Sequence, residues 1–475
     1  MIKCKSKNIK IKNIIYKEGE LMDELKKVER KLTKKDYFVI SSMLFALFFG
    51  AGNLIFPLHL GQMAGHNWFI ATLGFLITGV VLPLLSILAI ALTRADGVYD
   101  IGLPLGSAFA VTFMALIHAT IGPFFGTPRT ATVSFTVGVA PFVPKDHQQL
   151  ALLIYSALFF GAAFWISYNE KDILNRLGKV LNPIFLVLLF LVFFVAMINP
   201  LGSANAGYAT SAYATSGNAF LNGFLEGYNT MDALAGLAFG VTVVAAIRQL
   251  GKKEDKSVAI VTARSGMLGM GAVAFIYFFL ILIGAMSLGK FTMSADGGVA
   301  FSQIVQHYAG YVGQAVLATL MTVTCLTTAV GLVAAFGQDF HKYFPRFSYR
   351  VWMVLSAFAS FLIANVGLNE IIAWSTPFLM FLYPLSMVLI VLSIMTPVIK
   401  KSRIVYFTTV VFTVIPAFLD FVNALPDVAR NTSLVQSLIT VRNTLPLSSV
   451  GVSWLLPAII GLVLGLVIYF TKQKR

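Results

Sequence analysis

Phe49-Gly50-Ala51-Gly52-Asn53 sits in the middle of the first long apolar segment, and Glu226-Gly227-Tyr228-Asn229-Thr230-Met231-Asp232 sits in the sixth. Glycine weakens a helix interior by about 1 kcal/mol relative to alanine. Two glycines and an Asn within five residues therefore mark an interruption. Close helix packing is the plainer reading of small residues. An unwound joint is the functional one, and irregular backbone at membrane depth is tolerated only where it lines a cavity or is buried in protein. The second string adds two carboxylates at the same depth. Acids inside a membrane are costly and are functional by default, although Glu226 can also snorkel to an interface.

The rest of the chain supplies the membrane context. Of 475 residues, 58% are hydrophobic and 12% are charged, against about 25% charged in a soluble domain. Mean hydropathy is +0.83. A lone soluble domain and a disordered chain are both excluded. Apolar segments lie at about 38–64, 67–93, 107–139, 148–168, 179–199, 217–247, 259–288, 310–338, 350–367, 371–397, 404–424 and 448–470, and roughly 20 residues suffice to cross. The third is too long for an upright span and reads as one tilted, kinked helix. Residues 299–309 read as a short interfacial helix before span 8. Cys4 and Cys325 sit in a basic tail and an apolar stretch, so no disulfide is expected.

Twelve spans put both termini on one side. Thirty of the 35 Lys and Arg then fall on that side, and Lys145, Lys290, Arg430 and Arg442 fall on the other, with Arg129 inside a span. Such a bias predicts cytoplasmic termini. The net charge of +15 is thus assigned to cytoplasmic loops facing a lipid bilayer, and no nucleic-acid partner or obligate protein partner is expected.

The breaks are five spans apart, in spans of opposite direction. A five-plus-five inverted repeat with the first helix of each half broken is a transporter pattern. It predicts an all-α polytopic protein with residues 1–36 as a basic tail, 37–199 as the first repeat, 217–397 as the second, and 398–475 as two peripheral spans with the C-terminus. Free N–H groups of Ala51, Gly52 and Asn53 suit a carboxylate. Free carbonyls such as those of Ala46 and Phe49 suit a cation. Thr324, Thr327 and Thr328 in span 8 offer hard hydroxyl oxygens, though such threonines often only bond back to their own helix. Arg129 requires a partner at membrane depth. Glu226 and Asp232 are the acids placed within spans, with Asp232 preferred, and the alternative is that Arg129 reaches the outer interface or bonds carbonyls freed near Pro123 and Pro128. No metal-spaced His and Glu, nucleophile elbow or Walker loop supports an enzyme, and a channel would need no inverted repeat.

Residues Leu44 to Pro57, Ile121 to Ala131, Gly223 to Tyr228 and Thr230 to Leu234 together resemble the branched-chain amino acid:cation symporter family of the BrnQ type, from about Leu32 onward. Residues 1–31 exceed that family's usual N-terminus, which makes Met22 a candidate start. The resemblance implies a LeuT-type core of two inverted repeats plus two extra helices in the cell membrane. It implies uptake of leucine, isoleucine and valine with sodium as coupling ion and no other cofactor. Proton coupling, or another amino acid or amine as cargo, is the alternative. Lys179 is a candidate for replacing the sodium ion. The implied sodium ligands are Ala46, Phe49, Thr324, Thr327 and Thr328. The substrate would lie at Gly50, Ala51, Gly52 and Asn53, facing Tyr228, Asn229 and Thr230. Arg129, Glu226 and Asp232 remain as gating or structural charges.

Overall fold

The computed structural model describes residues 30–168 and 173–473; the side chains of residues 173–182 lie outside the description. Cys4, most of the basic tail and the Lys179 side chain are therefore outside it.

Every regular element among the described residues is helical. Thr33 starts the first membrane helix with a reciprocal capping box: its hydroxyl accepts from the Asp36 N–H, and the Asp36 carboxylate accepts from the Thr33 N–H, so two otherwise unpaired donors are satisfied. The first half of the chain runs through α1 (Lys34–Phe48), α2 (Gly52–Ala64), α3 (Trp68–Leu76), α4 (Leu82–Thr93), α5 (Ser107–Ala119), α6 (Gly126–Gly138), α7 (Gln148–Tyr168) and α8 (Ile173–Ile198). The second runs through α9 (Ser216–Glu226), α10 (Asp232–Gln249), α11 (Asp255–Ser287), α12 (Gly297–Tyr343), α13 (Tyr349–Ala364) and α14 (Leu368–Ile394). Then follow α15 (Arg403–Asn423), a short outer helix α16 (Ser433–Asn443), and α17 (Leu455–Gln473).

Nine helical stretches among the described residues are long and apolar enough to cross a membrane. Length divides the chain differently from hydropathy. With 15 and 11 residues, α1 and α9 are half-helices beside the two breaks. Span 3 is kinked: a π turn over Thr120–Phe124 separates α5 from α6, and Gly122 leaves helical geometry at φ −91°, ψ −121°. The segment before span 8 is set off within α12 by Gly310, at φ +64°, ψ −174°, a conformation glycine adopts without a Cβ clash.

The inverted arrangement shows in the packing. The two halves of the first broken span, α1 and α2, pack on α11; the two halves of the second, α9 and α10, pack on α3 and α4. Glycines make both crossings close. A Cβ on Gly61 would stand 2.0 Å from the Ile281 carbonyl oxygen, and one on Gly284 would stand 2.0 Å from that of Leu58. Across α3 and α9, Gly74 and Gly223 meet the Phe220 and Ala71 carbonyls in the same reciprocal way. Backbones touch here because little hydrophobic force drives helices together in lipid, and dispersion over short distances takes its place.

Outside this core, α15 packs against α14, α17 and α16. Asp420 of α15 is an acid within a span that the sequence reading did not count. Its Oδ1 accepts from Arg442 Nε at 2.9 Å and its Oδ2 from Ser453 Oγ at 2.8 Å. Both members of the ion pair are buried. Removing one partner of a buried pair typically costs about 3–5 kcal/mol, whereas an apolar replacement of both is often neutral. Asp420→Ala should therefore lower the melting temperature of the purified protein markedly, and Asp420→Leu with Arg442→Met should lower it less. Equal losses in a thermal melt would remove this pair from the forces holding α16.

Candidate functional site

At the first break, α1 ends at Phe48 because Phe49 turns extended (φ −86°, ψ 98°) while its N–H still bonds the Phe45 carbonyl. The next N–H, of Gly50, does not continue the helix. It donates to Oδ1 of Asn53 at 2.9 Å. The Ala46 carbonyl thereby loses the partner that a continuous helix would give it. The Asn53 N–H bonds the Gly50 oxygen at 3.2 Å, so the Phe49 carbonyl is released as well. Asn53 N–H was an expected anion donor and is already engaged. The first turn of α2 closes with tight i to i+3 bonds, from Asn53 to Gly50 and from Leu54 to Ala51, a common way to satisfy helix-end groups. The N–H groups of Ala51 and Gly52 have no acceptor among the described residues.

At the second break, α9 gives way to one 3₁₀ turn, Gly227–Thr230, and then to Met231 in the left-handed region (φ +59°, ψ 11°). A non-glycine residue there costs about 1–2 kcal/mol. It is held by the Met231 N–H on the Tyr228 carbonyl and the Ala235 N–H on the Met231 carbonyl. Asp232 opens α10. Its Oδ2 accepts from Asn53 Nδ2 at 2.7 Å and from the Tyr277 hydroxyl at 3.0 Å, and Asn53 Nδ2 also meets that hydroxyl. Asn53 thus shapes the first break with its oxygen and ties it to the second with its nitrogen.

Arg129 does not pair with Asp232 or Glu226. Its Nη1 donates to the Asn229 carbonyl at 2.9 Å, its Nη2 donates to Ser375 Oγ, and the guanidinium lies 5.0 Å from the Phe56 ring centroid. The expected ion pair is replaced by a freed backbone carbonyl, as the alternative reading supposed, but in the second break and not beside Pro123 or Pro128. The physical reason is local. The interrupted span leaves the Asn229 carbonyl available to Arg129, and the bonded oxygen of Asp232 is already shared by two neutral donors.

A cavity of about 1440 Å³ lies against both breaks. Ala46, Phe49, Gly50, Ala51, Gly52 and Asn53 line it from the first. Asn229, Thr230 and Asp232 line it from the second, and Arg129 with Thr324, Thr327 and Thr328 of α12 completes the candidates. Thr327 and Thr328 both donate to the Thr324 carbonyl, at 2.7 and 3.1 Å. Back-bonding of this kind spends the hydroxyl hydrogen and leaves oxygen lone pairs for a cation. Tyr228 and Glu226 do not reach the cavity. The Tyr228 ring is buried and stacks on Tyr383 at 4.2 Å and 8°, so it forms a wall behind the break. Glu226 ends α9 half-buried. The cavity continues past Ser41 and Phe38 of α1, Thr242 of α10, Gly269 of α11 and Ala335 of α12, toward the side on which α1 begins. Tyr277 and Ser375, which hold Asp232 and Arg129, sit in otherwise apolar runs and carried no local signal.

Two broken helices around a central cavity define the LeuT-type fold. Two solved structures share that fold: the inward-facing conformation of Mhp1 (TM-score 0.57, 12% identity, covering 94% of this chain and 92% of that one) and MhsT in complex with L-phenylalanine (TM-score 0.52, 16% identity, 93% and 99%). Residues 33–472 match the family model described as branched-chain amino acid transport protein. The branched-chain amino acid permease BraB of Bacillus subtilis is 40% identical over 93% of this chain and 97% of its own length; the permease BrnQ of Escherichia coli is 34% identical over 92% and 96%. The chain belongs to the branched-chain amino acid transport protein family, a family of membrane permeases and not of enzymes.

Arg129 and Asp232 form no ion pair and share no bonding partner, whereas residues in contact or in one network couple by about 0.5–3 kcal/mol. The stability losses of Arg129→Gln and Asp232→Asn should therefore sum in the double variant. Thermal melts of the three proteins check this, and a double variant as stable as either single one would restore the ion pair.

Proposed function

We propose that the chain imports leucine, isoleucine and valine together with a sodium ion, by alternating access across the cell membrane. The observation that carries the reading is one cavity bordered by two kinds of unpaired backbone group. The free N–H groups of Ala51 and Gly52 begin α2, where the helix dipole favours an anion, and they receive the substrate carboxylate. The released carbonyls of Ala46 and Phe49 end α1 and face the opposite charge. With the hydroxyl oxygens of Thr324, Thr327 and Thr328 they make an all-oxygen set, which suits a hard alkali cation. Ile121, Phe239 and Ile276, which also line the cavity, suit an aliphatic side chain. The substrate class follows the relatives, which are named as branched-chain amino acid permeases.

The charge bias supports cytoplasmic termini. On that orientation the cavity opens inward, and Arg129, bonded to Asn229 and Ser375, lies on the closed outer side.

Labelled leucine uptake into proteoliposomes tests the reading, with an inward sodium gradient, an inward proton gradient, or neither. Sodium alone should drive accumulation. Uptake driven only by protons would replace the coupling ion, and no uptake with any gradient would reject the substrate. Replacing both Thr327 and Thr328 by Val keeps the side-chain size and deletes two oxygens. The sodium concentration for half-maximal uptake should rise about tenfold or more, consistent with losing one or two charge-assisted contacts. Unchanged sodium dependence would move the ion elsewhere.

The two glycines should respond differently to one added methyl. At Gly50 a Cβ would meet only Asn53 Oδ1 at 3.6 Å, whereas at Gly52 it would press the Phe56 ring at 3.2 Å. Gly50→Ala should retain leucine uptake better than Gly52→Ala when both are matched for membrane expression. The reverse order would contradict this geometry.

A further inference from the structure

We infer that Asp232 is the receptor for the ammonium group of the transported amino acid. The inference rests on the substrate class proposed above and adds the residue that recognises the second charge of the zwitterion.

A free amino acid brings a carboxylate and an ammonium group into the cavity. The first break provides for the carboxylate. The ammonium needs an oxygen acceptor, and one with negative charge is the stronger partner. The Asn229 carbonyl at the second break is already occupied by Arg129. The carbonyls of Ala46 and Phe49 are assigned above to the coupling cation, and Asp232 is, among the described residues, the one acceptor on the cavity that carries negative charge. It is 3% exposed and lines the cavity between the breaks. Its Oδ2 is held by Asn53 and Tyr277, two neutral donors, and the Thr230 hydroxyl adds a third neutral side-chain contact to the carboxylate. No cationic side chain among the described residues forms an ion pair with it; Arg129, which lines the same cavity, spends its Nη groups on Asn229 and Ser375.

A buried carboxylate met only by neutral donors is costly until a cation arrives. An ammonium from the substrate would supply that cation at each binding event. The two donors on Oδ2 also fix the carboxylate, so little side-chain freedom is lost on binding. Asn53 links the two ends of the ligand: its oxygen bonds the Gly50 N–H in the break that receives the carboxylate, and its nitrogen orients Asp232. A molecule bearing only one of the two charges would satisfy half of this arrangement.

The experiment compares leucine with 4-methylpentanoate, which is leucine without the amino group, by equilibrium binding to the purified full chain at saturating sodium. The wild-type protein should prefer leucine. In Asp232→Asn, leucine affinity should fall about 30-fold, the scale of a hydrogen bond to a charged group, while 4-methylpentanoate affinity stays within about threefold. The isosteric side chain leaves shape unchanged, and size-exclusion chromatography verifies folding. Should that variant not fold, Asp232→Glu moves the carboxylate by one methylene and should likewise weaken leucine alone. Retention of the leucine preference in the folded variant overturns the inference. A shift in sodium activation with that preference intact also overturns it, and gives Asp232 to the coupling ion. A wild-type protein that binds 4-methylpentanoate as tightly as leucine removes any ammonium receptor. A wild-type protein that binds neither overturns the substrate reading itself, and the ammonium assignment with it.

Discussion

A backbone N–H or C=O without a partner in hydrocarbon costs several kcal/mol, so a membrane helix cannot simply stop midway. It can be interrupted only where something else answers the groups that are set free. Asn53 does much of this at the first break by bonding the Gly50 N–H through Oδ1 and Asp232 through Nδ2. Arg129 does it at the second by taking the Asn229 carbonyl. The groups that stay unanswered, on Ala46, Phe49, Ala51 and Gly52, border the cavity. The cost of breaking two helices is thereby confined to the place where a ligand can offset it.

Recognition and architecture follow from the same constraint. Because the breaks belong to spans of opposite direction, the ends of their half-helices meet at one level and present opposite partial charges. Donors and acceptors then lie within one cavity without any cluster of charged side chains. The threonines of α12 contribute oxygen in the same spirit, since a hydroxyl bonded back to its own helix carries no charge through the membrane.

How much of this was legible in the sequence depends on how each residue differs from its surroundings. Gly50, Gly52 and Asn53 stand out within an apolar run, as do Arg129 and Asp232, because each is expensive in lipid. Tyr277, Ser375 and Tyr383 do not stand out, because a hydroxyl on an intact membrane helix is cheap and common. Asp420 was overlooked among its apolar neighbours although it is as costly as Asp232, and Arg442, its partner, lies in a loop by hydropathy. The partner of Arg129 differs for another reason: freed carbonyls are expected beside the prolines of its own span, whereas the carbonyl it takes, of Asn229, becomes available only because the chain unwinds at the second break. The engaged N–H of Asn53 is similar, since the tightness of the first turn of α2 is a matter of geometry and not of composition.

The reciprocal glycine crossings have a mechanical consequence. Gly61 against Ile281 and Gly284 against Leu58 interlock α2 with α11, and Gly74 and Gly223 interlock α3 with α9. With carbonyl oxygens seated where side chains would otherwise be, neither pair can slide along the other without lifting out of contact first. Translation is blocked in both pairs, and Gly297 against the Ile55 carbonyl seats α12 on α2 in the same way. The stiff part of the protein is therefore this interlocked group of helices. A movement large enough to expose the other face of the site would have to carry these helices as a single lever.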